Sequence, residues 1–154
     1  MAKKTVPKTT KLVVNRRARF DYDIHDEFKV GIVLSGPEVR AVRDGRSSLR
    51  GAYVTVKDGE LWLTNASFTV KQQGNLDSVV DTRPRKLLAK KKEIEQIIAA
   101  KDQGLTSVPL TMTTNSRYIK LTIATAKGKK TYDKRETIKR RDTEREAQRA
   151  IKRA

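Results

Sequence analysis

Residues 53–63 read YVTVKDGELWL, two alternating runs of apolar and polar residues separated by Asp58-Gly59. Asp-Gly favours the type I′ turn, whose twist suits a two-residue β-hairpin. Closing this turn creates the cross-strand pairs Val54–Leu63 and Val56–Leu61 on one face and Thr55–Trp62 on the other. The sequence therefore predicts an antiparallel hairpin with one buried face.

Two further regions have strand character. Apolar residues alternate with polar ones on both sides of Asn115-Ser116, over residues 110–112 and 119–123, which predicts a second hairpin. Residues 28–34 (FKVGIVL) form a β-branched run, and Gly31 within it predicts a bulge or a tight bend. The chain thus contains several short strands of the kind found in antiparallel sheets.

Two helices are predicted between these strands. Ser35 begins the first helix, because Glu38 three residues later completes a capping box, and Gly45 follows its end. The second helix follows Arg83-Pro84 and stops at Gly104. Its apolar residues at helical spacing are Leu87, Ile94, Ile97 and Ile98. Without βαβ alternation, this order predicts a mainly β fold, a small antiparallel barrel with about two flanking helices.

The C-terminal segment, residues 127–154, differs sharply from the rest of the chain. It has twelve Lys/Arg against five Asp/Glu, and after Tyr132 its only large apolar residues are Ile138 and Ile151. Its composition favours a helix, but such a helix has no apolar face to pack. The segment is therefore expected to need a polyanionic partner.

Charged residues in this tail follow a helical pattern. Asp133 with Glu136 predicts a capping box near the helix start. Arg141, Arg145, Arg149 and Arg153 recur every fourth residue, so they form one cationic stripe suited to a row of phosphates. The alternative is a solvated, partly disordered basic tail, and the two interpretations are compatible if the tail folds on binding.

Composition limits the class of protein. The 154 residues carry a net charge of +17, with a pI near 10.3, and residues 1–126 are basic as well, with 23 Lys/Arg and 13 Asp/Glu. These values indicate a nucleic-acid partner, and a membrane surface is the weaker alternative because no apolar run approaches the roughly 20 residues needed to span. The absence of Cys and of a secretion signal favours a cytoplasmic protein.

The length suits one modest core with an appendage. We therefore expect a flexible basic leader over residues 1–11, a barrel over 12–126 and the basic tail over 127–154. An enzyme is not expected. His25 is the only histidine, so the usual zinc sites and nucleophile–base pairs cannot form, and Gly128 within KGKK lacks the remaining P-loop positions. No metal or cofactor is predicted.

Three basic clusters lie at predicted junctions between elements, where loops can reach phosphates. They are Arg16, Arg17 and Arg19 in NRRAR; Arg83, Arg85 and Lys86 in RPRK; and Lys127, Lys129 and Lys130 in KGKK. Together they predict a shared RNA or DNA footprint. The aromatic residues Tyr53, Trp62, Phe68 and Tyr118 are interpreted as core residues more readily than as stacking platforms. For Tyr132, stacking on a base and docking on the barrel both remain open.

Longer blocks of the sequence resemble a known family. They are NRRARFDY (15–22), GIVLSGPEVRAVRDGR (31–46), AYVTVKDGELWL (52–63), RPRKLL (83–88) and AKGKKTYDKRETIKRRD (126–142). In order and spacing they are similar to the blocks of the SmpB family, the SsrA-binding proteins of bacteria. The resemblance implies an OB-type barrel that binds the tRNA-like domain of tmRNA. It also implies delivery of the charged RNA to stalled ribosomes with elongation factor Tu, in trans-translation, without a catalytic step in the protein itself.

The resemblance also implies roles for particular residues of the barrel. Asn15, Glu38 and the Leu87-Leu88 pair match family positions tied to RNA binding. Asn15 can offer a donor and an acceptor, Glu38 can orient an arginine or accept from a base amine, and leucine can only pack. Structural alternatives are that Glu38 serves the capping box and that Leu87-Leu88 anchors the second helix.

In the tail, Asp133-Lys134-Arg135 matches the family motif at the root of a segment that enters the empty messenger channel near the decoding centre. Tyr132 stands where some relatives have His, which implies stacking against a decoding base. Residues 72–80 follow no block, and we assign them no role. The alternative to a monomeric rescue factor is a structural ribosomal protein with a basic extension in ribosomal RNA.

Overall fold

The computed structural model describes residues 10–71, 74, 77–114 and 117–153. Most of the predicted leader and the Asn115-Ser116 turn lie outside the described residues. The strands are β1 (Thr10–Val14), β2 (Tyr22–Ile32), β3 (Ser47–Ser48), β4 (Tyr53–Lys57), β5 (Glu60–Thr64), β6 (Ser67–Lys71), β7 (Ser78–Asp81), β8 (Arg85–Leu88), β9 (Thr106–Thr114) and β10 (Ile119–Gly128). The helices are α1 (Arg16–Asp21), α2 (Gly36–Arg43), α3 (Lys91–Asp102) and α4 (Thr131–Arg153).

Seven strands form one sheet in the order β1-β9-β10-β2-β8-β5-β4, and their pairings are antiparallel. Strand β9 pairs with β10 along one edge and with β1 along the other, where Ser107 also pairs with Val54 of β4. Because β4 is last in the strand order and β9 is second, this pairing curls the sheet so that its two ends meet. A smaller sheet consists of β3, β6 and β7. The prediction of a mainly β, antiparallel fold is confirmed.

The hairpin formed by β4 and β5 has the predicted register, including the pairs Val54–Leu63, Val56–Leu61 and Thr55–Trp62. Asp58 and Gly59 have φ angles of 53° and 73°, both in the left-handed region that a type I′ turn requires. Leu61 and Leu63 are fully buried, whereas Trp62 on the other face is half-buried. The second predicted hairpin, of β9 and β10, is also present and buries Met112 against Leu121.

Helix α2 confirms the predicted start and end. The Ser35 amide donates to Glu38 Oε2 over 2.9 Å, and Gly45 follows the helix with a φ of 72°. Helix α3 ends before Gly104 as predicted, but it begins only at Lys91. The assignment of Leu87 to this helix is wrong. Leu87 lies in β8 and pairs with both Ile32 and Leu61, so sheet pairing on both sides outweighs the helical spacing.

Gly31 does not form the bulge predicted for it. It stays in register with Lys120 of β10 and Leu88 of β8, and the irregularity between β2 and β10 falls instead between Ala124 and Ala126. A Cβ on Gly31 would lie 3.2 Å from Leu88 Cβ. The glycine therefore permits close approach of a neighbouring strand.

The main apolar cluster fills the space inside the strands and beneath α2 and α3. It includes Val42, Phe68, Ile97 and Leu121, each at most 2 % exposed. A smaller cluster, with Ala18 of α1 at its edge, packs against β9 and β10. Helix α1, which the sequence did not predict, is thus fixed to the barrel by a small buried residue.

Candidate nucleic-acid interface

Asn15 attaches α1 to the barrel. Its Oδ1 accepts from the Ala18 amide over 3.3 Å, which caps the helix, while its Nδ2 donates to the carbonyls of Leu49 (3.1 Å) and Pro109 (3.0 Å). The side chain is 7 % exposed. Both amide protons and the carbonyl oxygen are used internally, so the geometry supports a positioning role for this residue.

Helix α1 presents three exposed arginines, Arg16, Arg17 and Arg19. Arg17 Nε lies 3.2 Å from Asp21 and Arg19 Nη2 lies 3.0 Å from Glu27, but exposed ion pairs of this kind are worth at most about 1 kcal/mol. These cations can therefore exchange their partners for phosphates. Beside them is a cleft of about 530 Å³ whose lining includes Val14, Phe20, Arg16, Arg17 and Arg50.

The cluster KGKK lies next to α1. The Lys129 amide donates to the Asp21 carbonyl over 2.9 Å, and Lys129 Nζ donates to the Arg19 carbonyl over 3.3 Å. Lys127 is the exposed next-to-last residue of β10, and Lys130 is exposed before α4. Two of the three predicted basic clusters, 110 residues apart in the sequence, are therefore brought onto one surface. We call this the α1 surface, comprising residues 16–19 and 127–130.

The third cluster, RPRK, is held by a buried network around Glu38, which is 3 % exposed. Glu38 Oε1 accepts from Arg85 Nη2 over 2.7 Å and from Arg83 Nη2 over 2.9 Å. Asp81 Oδ2 lies 2.8 Å from Arg83 Nε and 3.3 Å from Arg85 Nη2. One buried carboxylate thus fixes Arg83 in the β7–β8 connection and Arg85 at the start of β8, in addition to capping α2.

Burial alone would raise the pKa of Glu38, but the Ser35 amide and the guanidinium groups of Arg85 and Arg83 outweigh it and hold this pKa below its ordinary value. The pKa of Asp81 is also lowered, first by the Arg83 amide and further by the two guanidinium groups, against the opposing effect of burial. Both carboxylates are therefore ionised at neutral pH and compensate the arginines.

The side chains of RPRK and of the two leucines that follow it differ in their exposure to solvent. Arg85 is 4 % exposed and lies 4.3 Å above the ring of Phe68, so it belongs to the core. Arg83 is 67 % exposed although Glu38 and Asp81 hold one edge of it, and Lys86 is 40 % exposed beside Glu60. Leu87 is buried and Leu88 is 55 % exposed. The cations of this cluster that face solvent are Arg83 and Lys86, and Leu88 just after the cluster is also exposed.

Helix α4 is 23 residues long, which corresponds to about 34 Å. It begins at Thr131, so the predicted capping box of Asp133 with Glu136 is wrong. Asp133 is the third residue of the helix, and its Oδ2 accepts from the Lys130 amide over 3.3 Å. None of the residues 131–153 is buried. The stripe of Arg141, Arg145 and Arg149 is exposed.

The root of α4 contacts the body of the protein. Lys134 Nζ lies 3.2 Å from Asp21 Oδ1, and the Arg141 guanidinium lies 5.8 Å from the centre of the Phe20 ring. Tyr132 is 59 % exposed and Arg135 is exposed. Tyr132 lines a shallow cleft together with Asp23 of β2, and more than half of its surface remains accessible to a partner.

Among the other aromatic residues, Phe68 is fully buried, as its interpretation as core requires, while Tyr53 and Tyr118 are 44 % and 66 % exposed. Arg50 and Phe20 were not singled out from the sequence. The signal for Phe20 was Asn15 before RRARFD, an N-cap residue followed by a short helix that places Phe20 one turn after Arg16. No local pattern marked Arg50. No group of three potential metal ligands, and no helix able to span a membrane, occurs in the described ranges.

Comparison with known proteins gives consistent matches. The SmpB protein family model matches residues 12–153. The SsrA-binding protein of Paracoccus denitrificans is 45 % identical over 154 residues, covering 99 % of both chains. That of Ligilactobacillus salivarius is 43 % identical over 150 residues, covering 97 % of both. A solved structure described as "tmRNA-SmpB: a journey to the center of the bacterial ribosome" is 37 % identical, with a TM-score of 0.65 over 79 % of this chain and 87 % of the other.

Proposed function

We propose, because this chain belongs to the SmpB family, that it binds the tRNA-like domain of tmRNA and brings this RNA to stalled ribosomes for trans-translation. The family consists of RNA-binding factors and not of enzymes. The structural neighbour with tmRNA and the ribosome in its description supports the same partners for this chain.

The single observation that carries the proposal is the α1 surface. It places Arg16, Arg17, Arg19 and the lysines of KGKK together on a rigid barrel, with the cleft beside Phe20 and Arg50 at its margin. Such a surface contacts backbone phosphates through its cations, and an aromatic ring in a cleft accommodates an unstacked base. Arg83, Lys86 and Leu88 form a second contact region.

Asn15, Glu38, Arg85 and Leu87 support RNA binding indirectly in this proposal. They are buried, and the hydrogen bonds of Asn15 and Glu38 fix α1 and Arg83. Removing the side chain of Asn15 or of Glu38 is expected to weaken RNA binding, because the cations that this side chain positions would be displaced.

The tail acts on the ribosome. The helix α4 has the length and the cationic stripe needed to run along ribosomal RNA in a messenger channel that holds no message, and an intact message would exclude it sterically. Tyr132, Asp133, Lys134 and Arg135 at its root lie near the decoding centre in this proposal. Delivery involves elongation factor Tu, and the protein works in the cytoplasm as a monomer.

The alternative of a structural ribosomal protein predicts a different distribution. Such a protein is present once on every ribosome, whereas a rescue factor is scarce and enriched with one small RNA. The test is capture of a tagged full-length chain and sequencing of the recovered RNA. Strong enrichment of tmRNA over ribosomal RNA is expected, and equal recovery with all ribosomes would refute the proposal.

The α1 surface has its own test. Arg16→Gln is expected to weaken binding of the tRNA-like domain and to lower the slope of log affinity against log salt by about one unit. Lys101→Gln is the matched control, since Lys101 is an exposed cation on α3 outside this surface. An unchanged slope for Arg16→Gln would remove Arg16 from the phosphate contacts.

A further inference from the structure

A groove of about 380 Å³ between β2 and α3 differs in charge from the cleft beside α1. Two carboxylates, of Asp26 and Glu27, line it, and no Lys or Arg is found among its described lining residues. The cleft beside Phe20, in contrast, includes several arginines. We call this region the β2–α3 groove. In a chain with a net charge of +17, it is poorly suited to a phosphate backbone.

The carboxylate side of the groove comes from an irregularity in β2. Between the pairs Ala126–Ile24 and Ala124–Glu27, β2 has two residues where β10 has one. Such a bulge interrupts the alternation of side chains between the two faces of a strand. Asp26 and Glu27 are therefore both exposed, although they are neighbours in the same strand.

This bulge is fixed from inside the barrel. The Asp26 amide donates to Thr125 Oγ1 over 3.2 Å, and Thr125 is 1 % exposed. The side chain of Asp26 forms no ion pair with a described residue, whereas Glu27 lies 3.0 Å from Arg19. Asp26 therefore presents an uncompensated negative charge at a fixed position.

The opposite side of the groove is one face of α3. Its residues Gln96, Ala99, Ala100 and Gln103 follow the spacing i, i+3, i+4 and i+7, which places them in one row along the helix. The two alanines leave room that longer side chains would fill, and the glutamine amides are neutral donors and acceptors. This side therefore offers space and hydrogen bonds without a positive charge.

Apolar surface completes the groove. Phe28 packs against the main apolar cluster, and both Phe28 and Leu105 line the groove while remaining partly exposed. A partner that covers these side chains removes apolar area from water, which favours binding. A phosphate has no apolar group with which to do so.

This combination selects a class of partner. An apolar wall beside an unpaired carboxylate is complementary to a segment that carries an apolar side chain next to a Lys or Arg. We propose that the β2–α3 groove binds a basic segment of a ribosomal protein. Ribosomal proteins are rich in such segments because they lie in RNA. The inference rests on the proposed function for bringing the chain to the ribosome, but not for the chemistry of the groove.

Reversal of one charge separates a protein partner from RNA. Asp26→Lys is expected to weaken binding of the full-length chain, in complex with the tRNA-like domain, to purified ribosomes by about five-fold, as for loss of one partly exposed ion pair. If the groove contacted RNA, the added cation would tighten binding. Tighter or unchanged binding would therefore overturn the inference.

The matched control for this charge reversal is Asp102→Lys. Asp102 is an exposed aspartate of α3 that does not line the groove, and the change of charge is the same. This variant should bind ribosomes within two-fold of the parent. Equal weakening by the two variants would show that net charge is responsible, and it would also overturn the inference.

A second variant fills the groove without a change of charge. Ala99 is exposed, so Ala99→Trp should leave the urea midpoint unchanged and lower the affinity for ribosomes by about five-fold or more. Ile98→Trp is the control, because Ile98 is a neighbouring exposed residue outside the groove. Ribosome binding by Ala99→Trp equal to that of the parent would overturn the inference, including the case in which Asp26→Lys fails to fold.

Crosslinking identifies the occupant. With p-benzoyl-L-phenylalanine in place of Gln103, irradiation of the full-length chain on purified ribosomes should yield a crosslink to a Lys- and Arg-rich segment of a ribosomal protein. A crosslink to ribosomal RNA, to elongation factor Tu or to a second copy of this chain would overturn the inference.

The two levels of the proposal fail in different ways. All the variants should bind the isolated tRNA-like domain within two-fold of the parent, because the groove lies outside the α1 surface. Failure of the parent itself to bind this RNA would contradict the proposed function. Normal RNA binding by the parent, with ribosome binding that neither Asp26→Lys nor Ala99→Trp weakens, would contradict only the role of the groove.

Discussion

The barrel and the tail carry the same kinds of charged residue and use them in opposite ways. In the barrel, Glu38 is buried between Arg83 and Arg85, and an arginine covers the ring of Phe68. In α4 every residue from 131 to 153 is at least partly exposed, and Asp133 alone has a capping contact with the helix start. Buried charge in the barrel therefore fixes geometry, while charge in the tail, like that of the exposed α1 surface, remains available to a partner.

This difference has a thermodynamic counterpart. The barrel is stabilised by its buried apolar side chains, and its charged network must be complete because a buried ion without its partner is strongly destabilising. The tail gains at most a few tenths of a kcal/mol from each of its local pairs. We therefore expect changes in the barrel to appear in stability and changes in the tail to appear in function.

The largest effect is expected from removal of the tail, which tests whether the barrel and the tail have separate roles. A chain ending at Lys130 lacks α4 but keeps the core and the α1 surface, so it should unfold at the same urea concentration as the full chain. It should bind the tRNA-like domain with little loss of affinity and should give no peptide tagging. Urea unfolding, RNA titration and a tagging assay check the three expectations. A parallel loss of RNA affinity and tagging would contradict the separation.

A single substitution in α4 should reproduce most of the loss of peptide tagging. Arg141→Pro breaks α4 at a cost of about 3 kcal/mol to the helix, so tagging should fall to near background while RNA binding persists. Arg141→Ala is the matched variant, because it also removes the contact with Phe20 but keeps a good helix former. If the two variants tag equally well, a continuous helix is not required.

In the barrel, Glu38→Gln should destabilise the fold. It removes the charged partner 2.7 Å from Arg85, which is 4 % exposed and keeps only the Asp81 carboxylate at 3.3 Å, and a loss of about 3 kcal/mol in the free energy of unfolding is expected. The matched change is Glu60→Gln, which removes the pair with Lys86 where both side chains are at least 40 % exposed, and should cost no more than about 1 kcal/mol. Urea midpoints measure both, and equal losses would show that burial does not govern these pairs.

The smallest expected effect is a pH dependence. Because the folded state lowers the pKa of Glu38 below its ordinary value of 4.5, the carboxylate contributes stability above that pH, and this contribution is lost as the pH falls further through the folded pKa. The difference in unfolding free energy between the parent and Glu38→Gln should therefore shrink below about pH 4.5. A difference that stays constant from pH 7 to pH 3 would assign the effect to shape and not to charge.

Local patterns in the sequence predicted those elements whose determinants are close together in the chain. The Asp58-Gly59 turn fixed the register of β4 and β5, and Ser35 with Glu38 marked the start of α2. The tail was recognised as helical by composition. The environments of Leu87 and Arg85 were not predicted, because they depend on residues far away in the sequence. Leu87 is a strand residue owing to β2 and β5, and Arg85 is buried owing to Glu38 and Phe68.

The candidate site shows the same limit. The basic clusters were visible as sequence, but their assembly into the α1 surface requires Lys129 to reach the carbonyls of Arg19 and Asp21. The roles of the individual RNA-binding and decoding residues remain predictions. Burial separates them into two groups. Asn15, Glu38, Arg85 and Leu87 are buried, whereas the remaining predicted cations are at least partly exposed to solvent.

The buried Asn15 affects how genetic selections on this protein should be interpreted. Its amide joins three segments of the chain, so most substitutions there are expected to displace α1 and weaken RNA binding without any change in overall secondary structure. A screen that scores loss of function ranks such a residue beside a direct contact. Selections on this fold therefore identify the framework residues and the proposed RNA contacts together, and only a salt titration or crosslinking of each variant separates them.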